Sequence, residues 1–335
     1  MKKEDLILAA DVGGTKTIMS LYHENDCELE EIKTEKFPSS DFDCLEDIIQ
    51  EFLKEEDNTP RAASFGIPGP VVDGVVESTN LPWIITEKDL AKKTGIPTIK
   101  LMNDLVATAY SIPRLTPDEI INIKKGVETK DPERYVVIAP GTGLGQSFLI
   151  HRDGDSVVIP SEGGHANFAP TSEIEAELYL FLLKKFGHVS YERIISGIGL
   201  PNIFDFFVEA KNRKPNKETL EKMQNKDRAI VISEMALAKK DEVCEDALDI
   251  FVSVLGAHAG DLALTFLAYG GVYLGGGIPH NILPKLKEDI FINNFENKGR
   301  LKDVVEQIPI NVITNNLAAL KGAAYVAQEN CNLSK

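Results

Sequence analysis

The sequence predicts an α/β protein of two lobes, on the evidence of three observations. Short strand-like runs alternate with helical segments along the chain, as they do in a sheet covered by helices. Two of these runs, Leu6–Ala10 and Tyr135–Ala139, each lead into a glycine-rich turn and a returning strand. Two hairpins of the same plan indicate an internal duplication with one copy in each lobe. The length of 335 residues is also sufficient for two domains with separate cores.

The strands are predicted from short apolar runs bounded by turn residues. In chain order they are Leu6–Ala10, Ile18–Tyr22, Ala62–Gly66, Thr98–Met102, Tyr135–Ala139, Gln146–Ile150, Gly271–Leu274 and Ile308–Ile313.

The helices are predicted from apolar residues that recur at helical spacing. In chain order they are Asp41–Glu55, Glu87–Thr94, Glu173–Phe186, Phe204–Ala210, Cys244–Ala268, Ile282–Ile290 and Leu317–Gln328. The polar segment Lys211–Asp227 is expected to be an exposed loop or helix edge. The small lobe is expected to contain residues 1–112 and 317–335, and the large lobe residues 113–316.

Charge and composition exclude several classes of protein. With 43% hydrophobic and 26% charged residues, the chain has the composition of a globular protein rather than a disordered or fibrous one. A formal net charge of -16 argues against a nucleic-acid surface, because phosphate backbones select for clustered Lys and Arg. An anionic ligand must therefore be held locally, by backbone N–H groups, a metal ion or a few placed cations.

Cysteine usage and hydropathy favour a cytoplasmic location. Cys27, Cys44, Cys244 and Cys331 form no C-x-x-C pair, so free thiols in a reducing compartment are expected. The first residues resemble no signal peptide. The long apolar region from 252 to 278 contains a His and an Asp and is broken by two glycines, which indicates a buried helix followed by a strand rather than a membrane span.

Three glycine-rich turns are candidates for binding phosphate: Asp11–Thr15, Pro140–Gly145 and Gly275–Gly277. None matches the P-loop pattern G-x-x-x-x-G-K-[ST]. The second leads into a strand rather than a helix, which excludes the dinucleotide-binding interpretation of its spacing. Each turn could simply be a tight hairpin. Three such turns that each follow a buried strand favour sites where backbone N–H groups approach an anion.

The pair Asn103-Asp104 follows the predicted strand Thr98–Met102 and is the candidate catalytic centre. An Asp at the end of a strand can accept a proton from a hydroxyl, and the adjacent Asn can hold a neighbouring hydroxyl. Asn-Asp is also a common turn dipeptide, so the pair gains significance only beside a phosphate site.

Glu162-Gly-Gly-His165 is a candidate clamp for a small polar ligand. The two glycines disfavour a helix, so a metal site built on helical spacing is set aside. In an extended loop the carboxylate can accept two hydrogen bonds from vicinal hydroxyls, and the imidazole can donate or accept one. The His could instead be an ordinary loop residue, and Glu192 an ordinary acid at a helix N-terminus.

Seven stretches together resemble the bacterial glucokinase family, one of the two-lobed sugar kinases that share a core with actin and Hsp70. They occur in the family's order and span most of the chain, and the fifth is the most specific. They are Ala10–Thr15, Phe65–Val71, Leu101–Leu105, Pro140–Gly145, Glu162–Pro170, Tyr191–Gly197 and Leu274–Ile278.

The resemblance implies an actin/hexokinase-like ATPase fold, each lobe being a mixed sheet flanked by helices. It also implies phosphorylation of glucose by ATP with Mg²⁺, and a homodimer. Asp104 would be the general base. The implied sugar ligands are Asn103, Asp104, Glu162, His165 and Glu192. The implied ligands of ATP are Ala10, Asp11, Val12, Gly13, Gly14, Thr15, Thr142, Gly143, Gly276 and Gly277, with Asp11 also binding Mg²⁺.

Other interpretations stay open at this point. Lys16 stands where the family usually has Asn, and the related repressor-and-kinase family often has Lys there. That second family's zinc-binding cysteine cluster is absent, since no Cys lies between Cys44 and Cys244. The substrate could be another neutral sugar, such as mannose, fructose or an N-acetylhexosamine, because pocket shape decides such specificity. A non-catalytic sugar sensor and an actin-like or chaperone ATPase are the remaining alternatives.

Overall fold

The structure is a computed structural model that describes residues 6–25, 28–78, 81–127 and 133–333. The strands are β1 (Leu6–Val12), β2 (Lys16–Asn25), β3 (Glu28–Pro38), β4 (Ala62–Ile67), β5 (Val71–Val72), β6 (Val75–Glu77), β7 (Ile84–Thr86), β8 (Thr98–Asn103), β9 (Ile120–Lys124), β10 (Arg134–Pro140), β11 (Leu144–Arg152), β12 (Asp155–Ser161), β13 (Gly271–Leu274) and β14 (Ile310–Ile313).

The α-helices are α1 (Leu45–Leu53), α2 (Glu87–Thr94), α3 (Asp104–Ser111), α4 (Glu173–Phe186), α5 (Gly199–Asp205), α6 (Lys217–Met223), α7 (Arg228–Leu237), α8 (Glu242–Phe266), α9 (Gly277–Asn281), α10 (Leu283–Leu286), α11 (Asp289–Glu296), α12 (Lys302–Glu306) and α13 (Ala318–Leu333). A π-helical turn, Phe206–Ala210, continues α5. Short 3₁₀ helices include Ser39–Asp41, Gly163–His165 and Tyr191–Arg193.

The chain divides into two compact units. Unit 1 comprises Met1–Thr116, Val158–Pro160 and Asn315–Lys335, and unit 2 comprises Pro117–Val157 and Ser161–Thr314. Cys44 and Cys244 are free thiols. Cys27 and the side chain of Cys331 lie outside the described residues.

Unit 1 is built on a five-stranded sheet in the order β3-β2-β1-β4-β8. β1 and β2 form an antiparallel hairpin, whereas β1, β4 and β8 run parallel. In register, Asp11 lies opposite Gly66, and Ile67 lies opposite Asn103. Because the carboxyl ends of parallel strands meet at one edge, the segments that follow β1, β4 and β8 converge there.

Helix α3 is held in unit 1 by close packing against α13. A side chain at Gly322 would collide with the carbonyl oxygen of Ala107, so the absence of one lets the two helices touch. Ala107 and Ala323 are fully buried in the same cluster, together with Met102 of β8. The position of Asp104, the first residue of α3, therefore depends on this helix contact.

Unit 2 is built on a six-stranded sheet in the order β12-β11-β10-β13-β14-β9. β10 and β11 form an antiparallel hairpin, β10, β13 and β14 run parallel, and β9 is antiparallel to β14. The orders β2-β1-β4-β8 and β11-β10-β13-β14 thus follow one plan. The duplication indicated by the two hairpins is present in both sheets.

The helix α8 forms the centre of the unit 2 core. It is long and apolar enough by length and composition to cross a membrane, yet 67% of its most apolar stretch is buried inside the protein. Gly256 and Gly260 lie against the backbone carbonyls of Phe291 and Phe295, so that α11 packs closely on it. Helix α8 is therefore a core helix. The sequence predicted this from the His and the Asp within its apolar stretch.

Some sequence predictions were wrong, each for a physical reason. The segment Ile282–Ile290 is not one helix, because the extended backbone of Glu288 separates α10 from α11. The segment Lys211–Asp227, expected to be an exposed loop or helix edge, contains the helix α6. Asn216 caps this helix, because its side chain accepts a 2.7 Å hydrogen bond from the Thr219 N–H. The strands that were not predicted are β3, β5, β6, β7, β9 and β12. β3 and β12 carry many exposed residues at sheet edges, where the alternating apolar pattern is weak.

Replacing Gly322 with Ala is expected to destabilise unit 1. The new methyl group would collide with the Ala107 carbonyl, and overpacking of this kind costs about 1–3 kcal/mol. The gain of about 1 kcal/mol in helix propensity would offset only part of this. Chemical denaturation measures the difference. Ala319→Gly, at a half-buried position of the same helix, is the control for propensity alone, and a Gly322→Ala variant more stable than wild type would contradict the packing.

Candidate active site

Two carboxylates lie together at the edge of the unit 1 sheet. Asp11 is near the end of β1, and Asp104 begins α3 directly after β8. Between them, β4 presents Gly66, where a side-chain carbon would stand 3.5 Å from the Asp104 Cα and 3.7 Å from the Ala10 carbonyl oxygen. These distances show that the end of β4 packs against the segments that carry both acids, and the charge of Asp104 is felt at Asp11.

The carboxylate of Asp104 is held by backbone rather than by a cation. Its Oδ1 accepts a 2.9 Å hydrogen bond from the Leu105 N–H, which also donates to the Asn103 side chain at 2.9 Å. The Asn103 amide in turn donates to the Gly69 carbonyl at 3.2 Å. Among the described residues Asp104 forms no ion pair. Burial raises its pKa, so the carboxylate binds a proton more readily than an exposed Asp.

Asp11 is perturbed more strongly. Burial, together with the negative charge of Asp104, raises its pKa from 3.8 to about 6, and the positive charge of Lys16 opposes the rise. Two acids that resist being charged together form a site that a divalent cation would stabilise. No cluster of three or more His, Cys, Asp or Glu that could hold a metal occurs in the described part of the chain. Asp11 nevertheless fits Mg²⁺, which commonly takes one or two carboxylates together with substrate phosphates and water.

The tip of the first hairpin is held by two hydrogen bonds and keeps some of its backbone N–H groups available. The Gly13 N–H donates to the Lys16 carbonyl at 2.9 Å, and the Ser39 hydroxyl donates to the Gly13 carbonyl at 2.7 Å. Within the described residues, the N–H groups of Gly14 and Thr15 donate to no other group. Fixed N–H groups without partners at a tight turn are suited to an anion.

The second hairpin tip meets the third glycine cluster at one edge of the unit 2 sheet. The backbone of Gly276 is left-handed, with φ +81°, and a side-chain carbon there would lie 2.9 Å from the Pro140 carbonyl. Gly141 accepts a 2.7 Å hydrogen bond from the Gly197 N–H, which fixes the turn that carries Thr142 and Gly143. The glycines predicted to bind phosphate therefore lie beside those predicted to bind adenosine. The second group includes Gly277, which begins α9.

The predicted polyol clamp is also assembled within unit 2. The loop expected to be extended is instead a 3₁₀ turn, Gly163–His165, because the missing side chain of Gly164 lets it pack against the Leu144 carbonyl. Glu192 accepts a 3.1 Å hydrogen bond from the Leu144 N–H, and its other oxygen lies 3.9 Å from the His165 Nδ1. Glu162 and His165 are both exposed at this turn, so three polar groups are available to one ligand.

A buried polar layer beneath the clamp was not predicted. Gln146 on β11 and His258 on α8 are 2% and 4% exposed, and their side-chain Nε2 atoms lie 2.5 Å apart. The His258 ring stacks on Tyr191 with centroids 3.7 Å apart. Burial, with a smaller effect of the Lys298 charge, lowers the pKa of His258 to about 4, so the ring is neutral near pH 7. Nothing local in the sequence connects residues so far apart.

The comparisons with known proteins agree with this architecture. A model of the family described as "Glucokinase" matches residues 8–330. A glucokinase of Nostoc punctiforme is 39% identical over 96% of this chain and 98% of its own length. A glucokinase of Salmonella heidelberg is 36% identical over 94% of this chain and 95% of its own length. The crystal structure of a glucokinase from an Antarctic psychrotroph has a TM-score of 0.86 at 31% identity, covering 97% of this chain and 99% of that one.

The fold is that of the hexokinase-like sugar kinases, which confirms the predicted fold class. The chain belongs to the glucokinase family, and it is an enzyme that phosphorylates a sugar with ATP.

The pH dependence of stability tests the carboxylate pair without measuring activity. Folded Asp11 keeps its proton up to about pH 6 whereas the unfolded residue loses it near pH 3.8, so wild-type stability should fall as pH rises through this window. Asp11→Asn removes that loss, and its free energy of unfolding relative to wild type should increase from about pH 4 to about pH 6. Chemical denaturation across this range measures the change.

The control is Asp41→Asn, an exposed acid in the same unit, which should keep the wild-type pH dependence. An Asp11→Asn variant whose stability runs parallel to wild type over the whole window would show that Asp11 is well hydrated.

Proposed function

We propose that the protein transfers the γ-phosphoryl group of ATP to the 6-hydroxyl of glucose, with Asp104 as the general base. The observation that carries this proposal is the environment of Asp104: a partly buried carboxylate with no cation partner in the described structure, beside Asp11 and an open hairpin tip. Membership of the glucokinase family supports glucose as the sugar and ATP as the donor.

In the proposed reaction the 6-hydroxyl oxygen attacks the γ-phosphorus. An oxygen–phosphorus bond forms, the bond to the bridging oxygen of ADP breaks, and the hydroxyl proton passes to a carboxylate oxygen of Asp104. A raised pKa suits this step, because a base works best when its pKa is near the operating pH. Asn103, whose side chain is fixed by two hydrogen bonds, would hold a neighbouring hydroxyl.

The glycine-rich turns would position the phosphates. The N–H groups of Gly14 and Thr15 are available in unit 1, and Thr142 and Gly143 form the matching tip in unit 2. Ala10, Val12 and Gly13 shape the first tip, and Gly276 and Gly277 would lie near the adenosine. When bound, Mg²⁺ would neutralise charge that develops on the phosphoryl oxygens, with Asp11 as its protein ligand.

The clamp residues would select the sugar. Glu162, His165 and Glu192 offer carboxylate acceptors and one imidazole on two adjoining 3₁₀ turns, a set suited to vicinal hydroxyls. Such a set also fits mannose, fructose or an N-acetylhexosamine, and turnover measured on each sugar separates these candidates. The glucokinase relatives, and a glucokinase from Balamuthia mandrillaris crystallised with glucose, favour glucose.

Two further parts of the proposal rest on the sequence alone. The homodimeric assembly follows from the family resemblance, and the cytoplasmic location follows from cysteine usage and hydropathy.

Asp104→Asn should abolish most phosphorylation while glucose still binds. The amide keeps the size and hydrogen bonding of the side chain but cannot accept the proton, so kcat should fall by about 10²- to 10⁴-fold. A coupled assay for glucose 6-phosphate measures turnover, and calorimetry measures glucose binding. Asp289→Asn, an exposed acid that likewise begins a helix, should leave turnover unchanged. Near-normal turnover of Asp104→Asn would end the base assignment.

Glu162→Gln should weaken the affinity for glucose more than that for ATP. The exposed carboxylate loses half of its capacity to accept hydrogen bonds from hydroxyls, and loss of a hydrogen bond to a charged group costs about 1.5–3 kcal/mol. Calorimetric titrations with glucose and with ATP give both affinities. Glu173→Gln, an exposed acid at the start of α4, serves as the matched control. A larger loss for ATP would place Glu162 outside the sugar clamp.

A further inference from the structure

The two backbone segments of the candidate sugar clamp rest on one buried polar support. The first segment is the 3₁₀ turn Gly163–His165, and the second is the 3₁₀ helix Tyr191–Arg193, which carries Glu192. The Tyr191 N–H donates to the Ala166 carbonyl at 3.1 Å, so the segments are joined at their edge. Beneath them lie Gln146 and His258, neither of which contacts a candidate ligand-binding atom through any hydrogen bond in the described structure.

Gln146 supports the first segment. A side-chain carbon at Gly163 would collide with the Gln146 Oε1, so the amide lies directly under the turn. The Gly163 N–H donates to the Ser161 hydroxyl at 3.0 Å, which ties the turn to the end of β12. Because β11 also carries Leu144, whose N–H binds Glu192, a displacement of this strand would move both halves of the clamp.

His258 supports the second segment and fixes Gln146. Its ring stacks on Tyr191 with an angle of 27° between the planes. The short contact between the two Nε2 atoms makes the Gln146 amide the donor and His258 the acceptor, which places the proton of the neutral ring on Nδ1. The His258 Nδ1 is buried without a partner in the described structure. An unsatisfied nitrogen of this kind costs stability, which points to a role other than packing.

We propose that Gln146 and His258 are positioning residues for sugar binding, acting as one hydrogen-bonded pair that sets the spacing between Glu162 and His165 on one side and Glu192 on the other. This inference rests on the proposed function, since it assigns the clamp to the sugar. Gln146 directly follows the turn Pro140–Gly145, but neither side chain of the pair is hydrogen-bonded to a glycine-rich tip in the described structure. Its loss should therefore change the affinity for sugar and leave the affinity for ATP nearly unchanged.

Variants that keep volume but remove the hydrogen bond test the pair. Gln146→Met removes the donor, and His258→Phe removes the acceptor but keeps a ring to stack on Tyr191. Each should raise both the KM and the calorimetric Kd for glucose about tenfold, the effect of losing one buried hydrogen bond. The KM for ATP should change by less than about twofold. The double variant should be no worse than the more damaging single variant, because no unpaired partner is left.

Two controls separate positioning from general stability. Ser253→Ala lies on the same helix and removes a buried 3.0 Å hydrogen bond to Glu175, so it should lower Tm without changing glucose affinity. Tyr191→Phe keeps the ring stack and should keep glucose affinity, whereas Tyr191→Leu removes the stack and should weaken it. The Tyr191 variants leave the Gln146–His258 bond untouched, and they keep the test decisive if a substitution within the pair prevents folding.

The outcomes are distinguishable. Wild-type protein that binds no glucose would overturn the proposed function and this inference together. Wild-type binding with an unaltered glucose Kd in Gln146→Met would overturn the positioning role alone. So would a change in the KM for ATP as large as that for glucose, because it would mean that the pair stabilises unit 2 in general.

Discussion

The close approach of Asp11 and Asp104 is the constraint on which the chemistry proposed for unit 1 depends. Parallel β1, β4 and β8 end at one edge, and Gly66 on the middle strand packs closely against the start of α3, where a side-chain carbon would stand 3.3 Å from the Ala107 Cβ. Burial and mutual repulsion then disfavour the doubly charged state. A carboxylate in this state is poised both to accept a proton and to attract a cation.

The surrounding structure maintains that arrangement. Asp104 begins α3, and α3 is positioned by the contact between Gly322 and Ala107. The hairpin that carries Asp11 is braced by Ser39 through its hydrogen bond to the Gly13 carbonyl. Small residues at the contacts and one buried hydroxyl thus determine where the acidic groups stand, although none of them takes part in the proposed reaction.

Unit 2 follows the same strand plan with different chemistry. Where β1 carries Asp11 one pair before the end of its hairpin, β10 carries Ala139. The edge of unit 2 is lined by glycines and by the N–H groups of Thr142 and Gly143, which donate to no other group among the described residues. Its polar support is neutral, because burial keeps His258 uncharged near pH 7. The same physical effect, desolvation, raises the pKa of an acid in one unit and lowers that of a histidine in the other. The duplicated framework therefore carries an acidic pair in one unit and a neutral polar pair in the other.

The sequence by itself determined the elements with strong local signals. Helix α2 coincides with its prediction, because Thr86 caps its first turn by accepting a 3.0 Å hydrogen bond from the Asp89 N–H, and Gly95 ends it with a left-handed backbone. Helix α4 and strand β13 also have the predicted bounds. The glycine turns and the Asn103-Asp104 pair were likewise visible as motifs, since each is encoded by a few adjacent residues.

Only the tertiary structure decided which of these motifs are neighbours and how they are perturbed. The raised pKa of Asp11 comes from burial and from a residue on another strand, and the Gln146–His258 pair joins residues 112 positions apart. The Glu162–His165 segment adopts a 3₁₀ turn because it packs on Leu144. The glycines of the segment do not by themselves predict this contact. Local sequence specifies backbone preference, whereas burial, repulsion and close approach arise between distant segments and exist only once the chain has folded.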